Sequence, residues 1–120
     1  MDLTEEAHAH ARIYDELVGA VADKRQVDAA KLRADRQCTT GQWLHGPLQQ
    51  RWAGNHTYLN CVEAHREFHH AAHEVAELIN RGEYAEANRR LRNGNRLSMA
   101  TSGLTSAFRR MRLALEAVTA

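Results

Sequence analysis

Apolar residues recur along this chain at alternating steps of three and four, the spacing that keeps side chains on one face of an α-helix. The longest such run lies between Thr57 and Arg81, where Tyr58, Val62, His65, His69, Ala72, Ala76 and Ile79 form the seam a helix buries against its neighbours. Gly82 follows as the expected terminator. Upstream, Ala7, His10, Ile13, Tyr14, Leu17, Val18 and Val21 give a first helix over roughly residues 3 to 23, opened by Asp2 and Glu5 in a capping-box arrangement. The polar stretch Asp23 to Asp28 reads as a connection, and Asp28 caps a shorter helix through about Arg36. A weak helical piece, Leu48 to Trp52, precedes the break at Gly54-Asn55, and Glu83 to Leu91 begins the last helical region. From Leu97 the positions Thr101, Leu104, Phe108, Met111, Leu115 and Val118 hold the same rhythm, while Gly94, Ser98, Ser102 and Gly103 are small enough for another helix to approach closely. No strand pattern competes. The expectation is an all-α chain: one domain over residues 1–120, folded as a four-helix bundle with an additional short helix near the turn Cys38-Thr-Thr-Gly41-Gln-Trp43.

Two members of the central seam are histidines. His65 and His69 are one turn apart, so both imidazoles point inward and converge on one region. Buried imidazoles bring polar nitrogens into an apolar seam, and each nitrogen needs a partner. His10 lies on the inward face of the first helix, whereas His8 is turned about 160° away at 100° per residue.

Composition narrows the classes of function. A formal net charge of +1 is too near zero for a protein whose main partner is a polyanion. The arginines at 89, 90, 92, 96, 109, 110 and 112 therefore read as solvated helix faces balanced by an acidic first half, and no nucleic-acid partner is expected. No apolar run approaches the roughly 18 residues of a spanning helix, and Met1-Asp-Leu-Thr-Glu-Glu6 is acidic where a secretory leader is basic, so a cytoplasmic protein without membrane contact is expected. Two cysteines, Cys38 and Cys61, make no disulfide framework. Cys61 has the phase of a small buried hydrophobe, which leaves the Cys38 thiol as a possible metal donor.

The inward donors are thus His10, Cys38, His65 and His69. Three imidazoles and one thiolate form a closed tetrahedral set suited to a single Zn²⁺. One thiolate leaves the site near +1, and Glu63, Glu67 and Asp35 are the nearby carboxylates for a second shell. His8, His45 and His56 remain substitute ligands, since turns redirect side chains that helical phase sends outward.

At these positions the chain resembles the chemoreceptor zinc-binding (CZB) domain family of bacteria. The family pattern is a His with a bulky residue three later, then Cys-x-apolar-Gly-x-Trp, then His-x-x-x-His. Here the parts are His10-Ala-Arg-Ile13, Cys38-Thr-Thr-Gly41-Gln-Trp43 and His65-Arg-Glu-Phe68-His69. Thr40 stands where the family usually has an apolar residue, and Ile13 where it usually has Trp or another aromatic. The resemblance implies a stand-alone, non-enzymatic regulatory module that responds to zinc, pH or oxidants. Its contacts would be a homodimer or a signalling partner of the chemoreceptor or cyclase type, as in chemotaxis and related signal transduction. Oxidation of Cys38 would remove the softest donor.

Two other readings stand beside this one. In the first, zinc holds a small bundle together and senses nothing. In the second, Glu67-x-x-His70, His70-x-x-x-Glu74 and His73-x-x-x-Glu77 form a hemerythrin-like or di-iron site. Helical phase opposes the second: residues 70, 74 and 77 fall about 140°, 180° and 120° from His65, on the polar side.

Overall fold

The computed structural model describes residues 1–119, which form α-helices and the turns between them and contain no strand. Three long helices, α1 (Leu3–Asp23), α5 (His56–Asn80) and α7 (Arg96–Thr119), are joined by the short helices α2 (Ala29–Arg33), α3 (Thr39–Leu44), α4 (Pro47–Trp52) and α6 (Tyr84–Arg90). Side-chain caps set the starts: Asp2 accepts from the Glu5 N–H at 3.1 Å, Asp28 from Lys31 at 3.0 Å and Asn55 from Tyr58 at 3.0 Å. The end of α5 is a Schellman turn, with Gly82 at φ +78°, its N–H bonded to Ile79 O and the Glu83 N–H to Leu78 O. α2 stops at Arg33 rather than running to Arg36, and the turn after Cys38 is itself the short helix α3.

α5 is the hub. It packs against α1, α2, α6 and α7, and α7 packs in turn on α1. A helix with neighbours on several sides buries more than one stripe, so Cys61, Phe68, Ala71, Val75 and Leu78 are buried beside the expected seam, and Val62 is only half-buried. On α1 the buried positions are Leu3, His10, Leu17 and Ala20, while Val18, on the flank of Leu17, is 45% exposed. On α7 burial ends at Met111, and Val118 is 61% exposed. Two of the small positions bring no helix close within this chain: Gly94 and Gly103 are exposed, with nothing within 4 Å of where a Cβ would lie. Polar ties lock the long helices to the short ones. Tyr58 donates to Leu44 O at 2.7 Å, and the Tyr14 hydroxyl donates to Leu91 O, which joins α1 to the end of α6.

α2 is attached differently. It contributes no fully buried side chain, yet lies along α5. A five-residue helix leaves most of its carbonyls without an internal partner, and histidines of α5 fill that need. The His69 Nδ1–H donates to Leu32 O at 2.8 Å, and the His73 Nδ1–H to Ala29 O at 2.9 Å. Just before α2, the Asn80 side chain accepts from the Val27 N–H at 2.9 Å and donates to Val27 O at 2.8 Å.

Candidate metal centre

His10 from α1, Cys38 from the N-cap of α3, and His65 and His69 from α5 come together, with one donor atom of each within 4.8 Å of all the others. Three of the four, His10, His65 and His69, are buried, and Cys38 is half-buried. The His65 and His69 Nε2 atoms are 3.2 Å apart, and Cys38 Sγ lies 3.2 Å from the first and 3.7 Å from the second. Tetrahedral zinc with ordinary Zn–N and Zn–S bonds requires edges of about 3.3 Å between nitrogens and about 3.5 Å between nitrogen and sulfur. The donors of His65, His69 and Cys38 are spaced close to those edges, and the fourth donor, from His10, lies within 4.8 Å of them.

Tautomers follow from the outer bonds. His10 donates its Nδ1–H to Glu6 O at 2.7 Å and His69 donates to Leu32 O, so each presents an Nε2 lone pair. His10 Nε2 is buried and has no hydrogen-bond partner among the described residues. Lone pairs facing one another in a dry seam repel, and a cation shared between them removes the conflict. The donor set fits a metal cation on this ground. His65 Nδ1 is also buried without a partner, so that ring is oriented by packing. It sits edge-on to His10 at 5.1 Å between centroids and 6.5 Å from Phe108.

Burial keeps the imidazoles in their ligating, neutral form. It pushes His65 down to about 2, with the neighbouring His69 and His10 adding to the effect, and it lowers His10 and His69 as well. The same burial raises the Cys38 thiol above its usual range, against the lowering effect of backbone N–H groups at Gly41 and Thr40. The Gly41 N–H lies 3.3 Å from Cys38 Sγ. The thiol therefore keeps its proton until a cation displaces it.

Gly41 is required by space rather than by torsion. A Cβ at this position would fall 1.8 Å from Asp35 O and 2.9 Å from Arg36 Cα, both backbone atoms of the approach to Cys38. Gly41→Ala is expected to open that turn, destabilise the fold by roughly 1–3 kcal/mol and weaken any metal binding at the cluster with it. Denaturant unfolding with and without zinc measures both, and an unchanged midpoint would show that the turn yields freely.

The remaining histidines stay outside the cluster. His8, His56 and His70 are exposed, and His45 is half-buried. His73 is tied to Ala29 O and lies 3.0 Å from Glu77. Two of the three carboxylates of the di-iron reading are engaged elsewhere: Glu67 with Arg96 at 2.7 Å, and Glu74 with Arg96 at 2.6 Å and Arg90 at 3.6 Å. Among the expected second-shell residues, Glu63 pairs with exposed Arg66 and Glu67 with Arg96, whereas Asp35 reaches Cys38 through its carbonyl, at 3.7 Å. Glu6 is a carboxylate fixed at the edge of the site, where it accepts from the Thr40 hydroxyl at 2.5 Å, and the charge of Asp35 is also felt at Cys38 and His69. Nothing local marks Glu6 for this role, because its partner is 34 residues away. Buried Thr40, where an apolar residue was expected, was the available signal: a hydroxyl in the core needs a partner. Compared with known proteins, the chain matches no family model, no curated protein and no solved structure.

Proposed function

We propose that this protein is a zinc-binding regulatory module of the chemoreceptor zinc-binding type, with His10, Cys38, His65 and His69 as the ligands of one Zn²⁺. The observation that carries the reading is the convergence of three imidazoles and one thiol from three separate elements within 4.8 Å. The three family-like motifs contribute all four donors, which supports the resemblance. We read the architecture as a single four-helix bundle over residues 1–120, in which α1, α5 and α7 are long members and α2–α4 an interrupted fourth. Four protein donors fill a tetrahedral site and leave no position for a reacting water, which supports a binding role over a catalytic one.

Access to Cys38 supports regulation. Half-buried Cys38 lines a surface depression with Asp28, Ala30, Lys31, Ala34 and Gln37, which supports approach of a peroxide-class oxidant from that side. Exposed Val18 on α1 and Met99, Leu113 and Val118 on α7 support a homodimer or signalling-partner contact through the terminal helices. No helix among the described residues is long and apolar enough to cross a membrane, in keeping with the proposed cytoplasmic location. A purely structural role for zinc has its own support, since the donors clamp α1, α3 and α5 together and the His69 ring holds α2.

Metal content of the purified protein tests the reading, together with light scattering before and after chelation. About one zinc per chain and a change in self-association or partner affinity on zinc removal are expected. One zinc with no such change would leave the structural role. Iron, or no metal after zinc is supplied, would overturn the site.

A further inference from the structure

Glu6 touches the centre from two sides without belonging to its donor set. Its carbonyl accepts the Nδ1–H of His10 at 2.7 Å, one turn further along α1. Its carboxylate accepts the hydroxyl of Thr40 at 2.5 Å, and Thr40 is wholly buried, two residues beyond Cys38 in the first turn of α3. A buried hydroxyl needs only one acceptor, and a neutral carbonyl would serve. A carboxylate at this place adds a full negative charge beside the donors, in a position the Thr40 bond fixes.

That charge has a use. Three neutral imidazoles and one thiolate leave a divalent ion with one unit of positive charge uncompensated, which an apolar seam disfavours. The carboxylates of Glu63 and Glu67 are drawn outward by Arg66 and Arg96. Resting on the zinc reading of the site, we propose that Glu6, held by Thr40, is the counter-charge and positioning residue of the centre, and that it sets the preference for a divalent ion over a monovalent soft one. With Zn²⁺ the assembly of donors and Glu6 is neutral. With Cu⁺, which the same nitrogen and sulfur donors accept, it carries one negative charge.

Glu6→Gln separates charge from shape, because the amide oxygen still accepts from Thr40 and the backbone carbonyl still accepts from His10. Zn²⁺ and Cu⁺ affinities of the full chain are measured by competition with chromophoric chelators, alongside unfolding of the metal-free protein. For E6Q, zinc affinity is expected to fall about ten- to a hundredfold. Cu⁺ affinity should hold or rise and the metal-free unfolding midpoint should stay in place. Thr40→Val, which frees the carboxylate to swing into solvent, should shift the ratio of the two affinities in the same direction by a smaller factor, and it carries the test should E6Q fail to fold. An unchanged ratio in both variants would overturn the role of Glu6 while leaving the zinc site intact. Failure of the unmodified chain to bind zinc would instead overturn the site and this inference together.

Discussion

Cys38→Ala is expected to lower zinc affinity by a hundredfold or more, and His69→Ala to do so comparably, whereas His70→Ala leaves it unchanged. Cys38 supplies the only sulfur of the cluster and the only donor that becomes an anion, so its loss removes both the soft ligand and the nearest negative charge. His69 has a double role: its Nε2 faces Cys38 and His65, and its Nδ1–H holds Leu32 O of α2 at 2.8 Å. Alanine at 69 therefore loosens α2 as well as the centre. His70, the next residue, is exposed, which makes it the matched control. Competition titration of the three variants against a calibrated chelator decides the matter, and equal losses at 69 and 70 would sink the ligand assignment.

Acid should act on the protein twice, through metal affinity and through the fold. Burial raises the Cys38 thiol above its usual range, so at neutral pH the metal-free site holds a proton that binding must expel. Apparent zinc affinity should accordingly fall about tenfold per pH unit as pH drops from 9 towards 6.5. Below that point the histidines dominate stability. In the unfolded chain they take up protons near 6.5, whereas in the folded chain burial holds His65 at about 2 and lowers His10 and His69 too. Between those limits the unfolded state binds more protons than the folded one at His65, so stability falls as pH falls, by about 1.4 kcal/mol per pH unit, and His10 and His69 add to the decline in the same direction just below 6.5. Without zinc, unfolding midpoints should be nearly flat from about pH 8 to 7, decline below 6.5, and decline again towards pH 9 and above, where the unfolded chain loses thiol protons that burial keeps on Cys38 and Cys61. A thousandfold excess of free zinc over its dissociation constant adds about 4 kcal/mol at neutral pH, an increment that acid removes. A metal-free midpoint that holds steady from pH 7 to 5 would mean that the imidazoles are not buried as described.

The helices were legible because their signals are local. A period of three and four, a capping side chain three residues before its N–H, and a glycine after the last turn all lie within a few residues of the feature they announce. Asp2, Asp28 and Asn55 cap as their types suggest, and α1 runs from Leu3 to Asp23 as its periodicity predicts. Val18 and Val62 show where the period stops informing. Each sits at the margin of an apolar stripe, and only the placement of neighbouring helices decides whether that margin meets protein or water. α2 ends at Arg33, short of the expected Arg36, for a related reason: it buries no side chain fully, so no apolar stripe in the sequence marks where it stops.

By itself, the sequence determined an all-helical chain, the inward aim of the histidines at 10, 65 and 69, and the availability of one thiol in a glycine-bearing turn, because helical phase converts spacing directly into direction. Only the tertiary structure decided what surrounds those donors. Leu32 O takes the outer nitrogen of His69 across 37 residues, Thr40 binds Glu6 across 34, and Arg96 draws Glu67 away across 29. Hydrogen bonds between distant segments depend on how helices settle against one another, and a backbone carbonyl leaves no mark in residue type. The donors are therefore written in local spacing, while the charge balance and tautomers around them arise from packing.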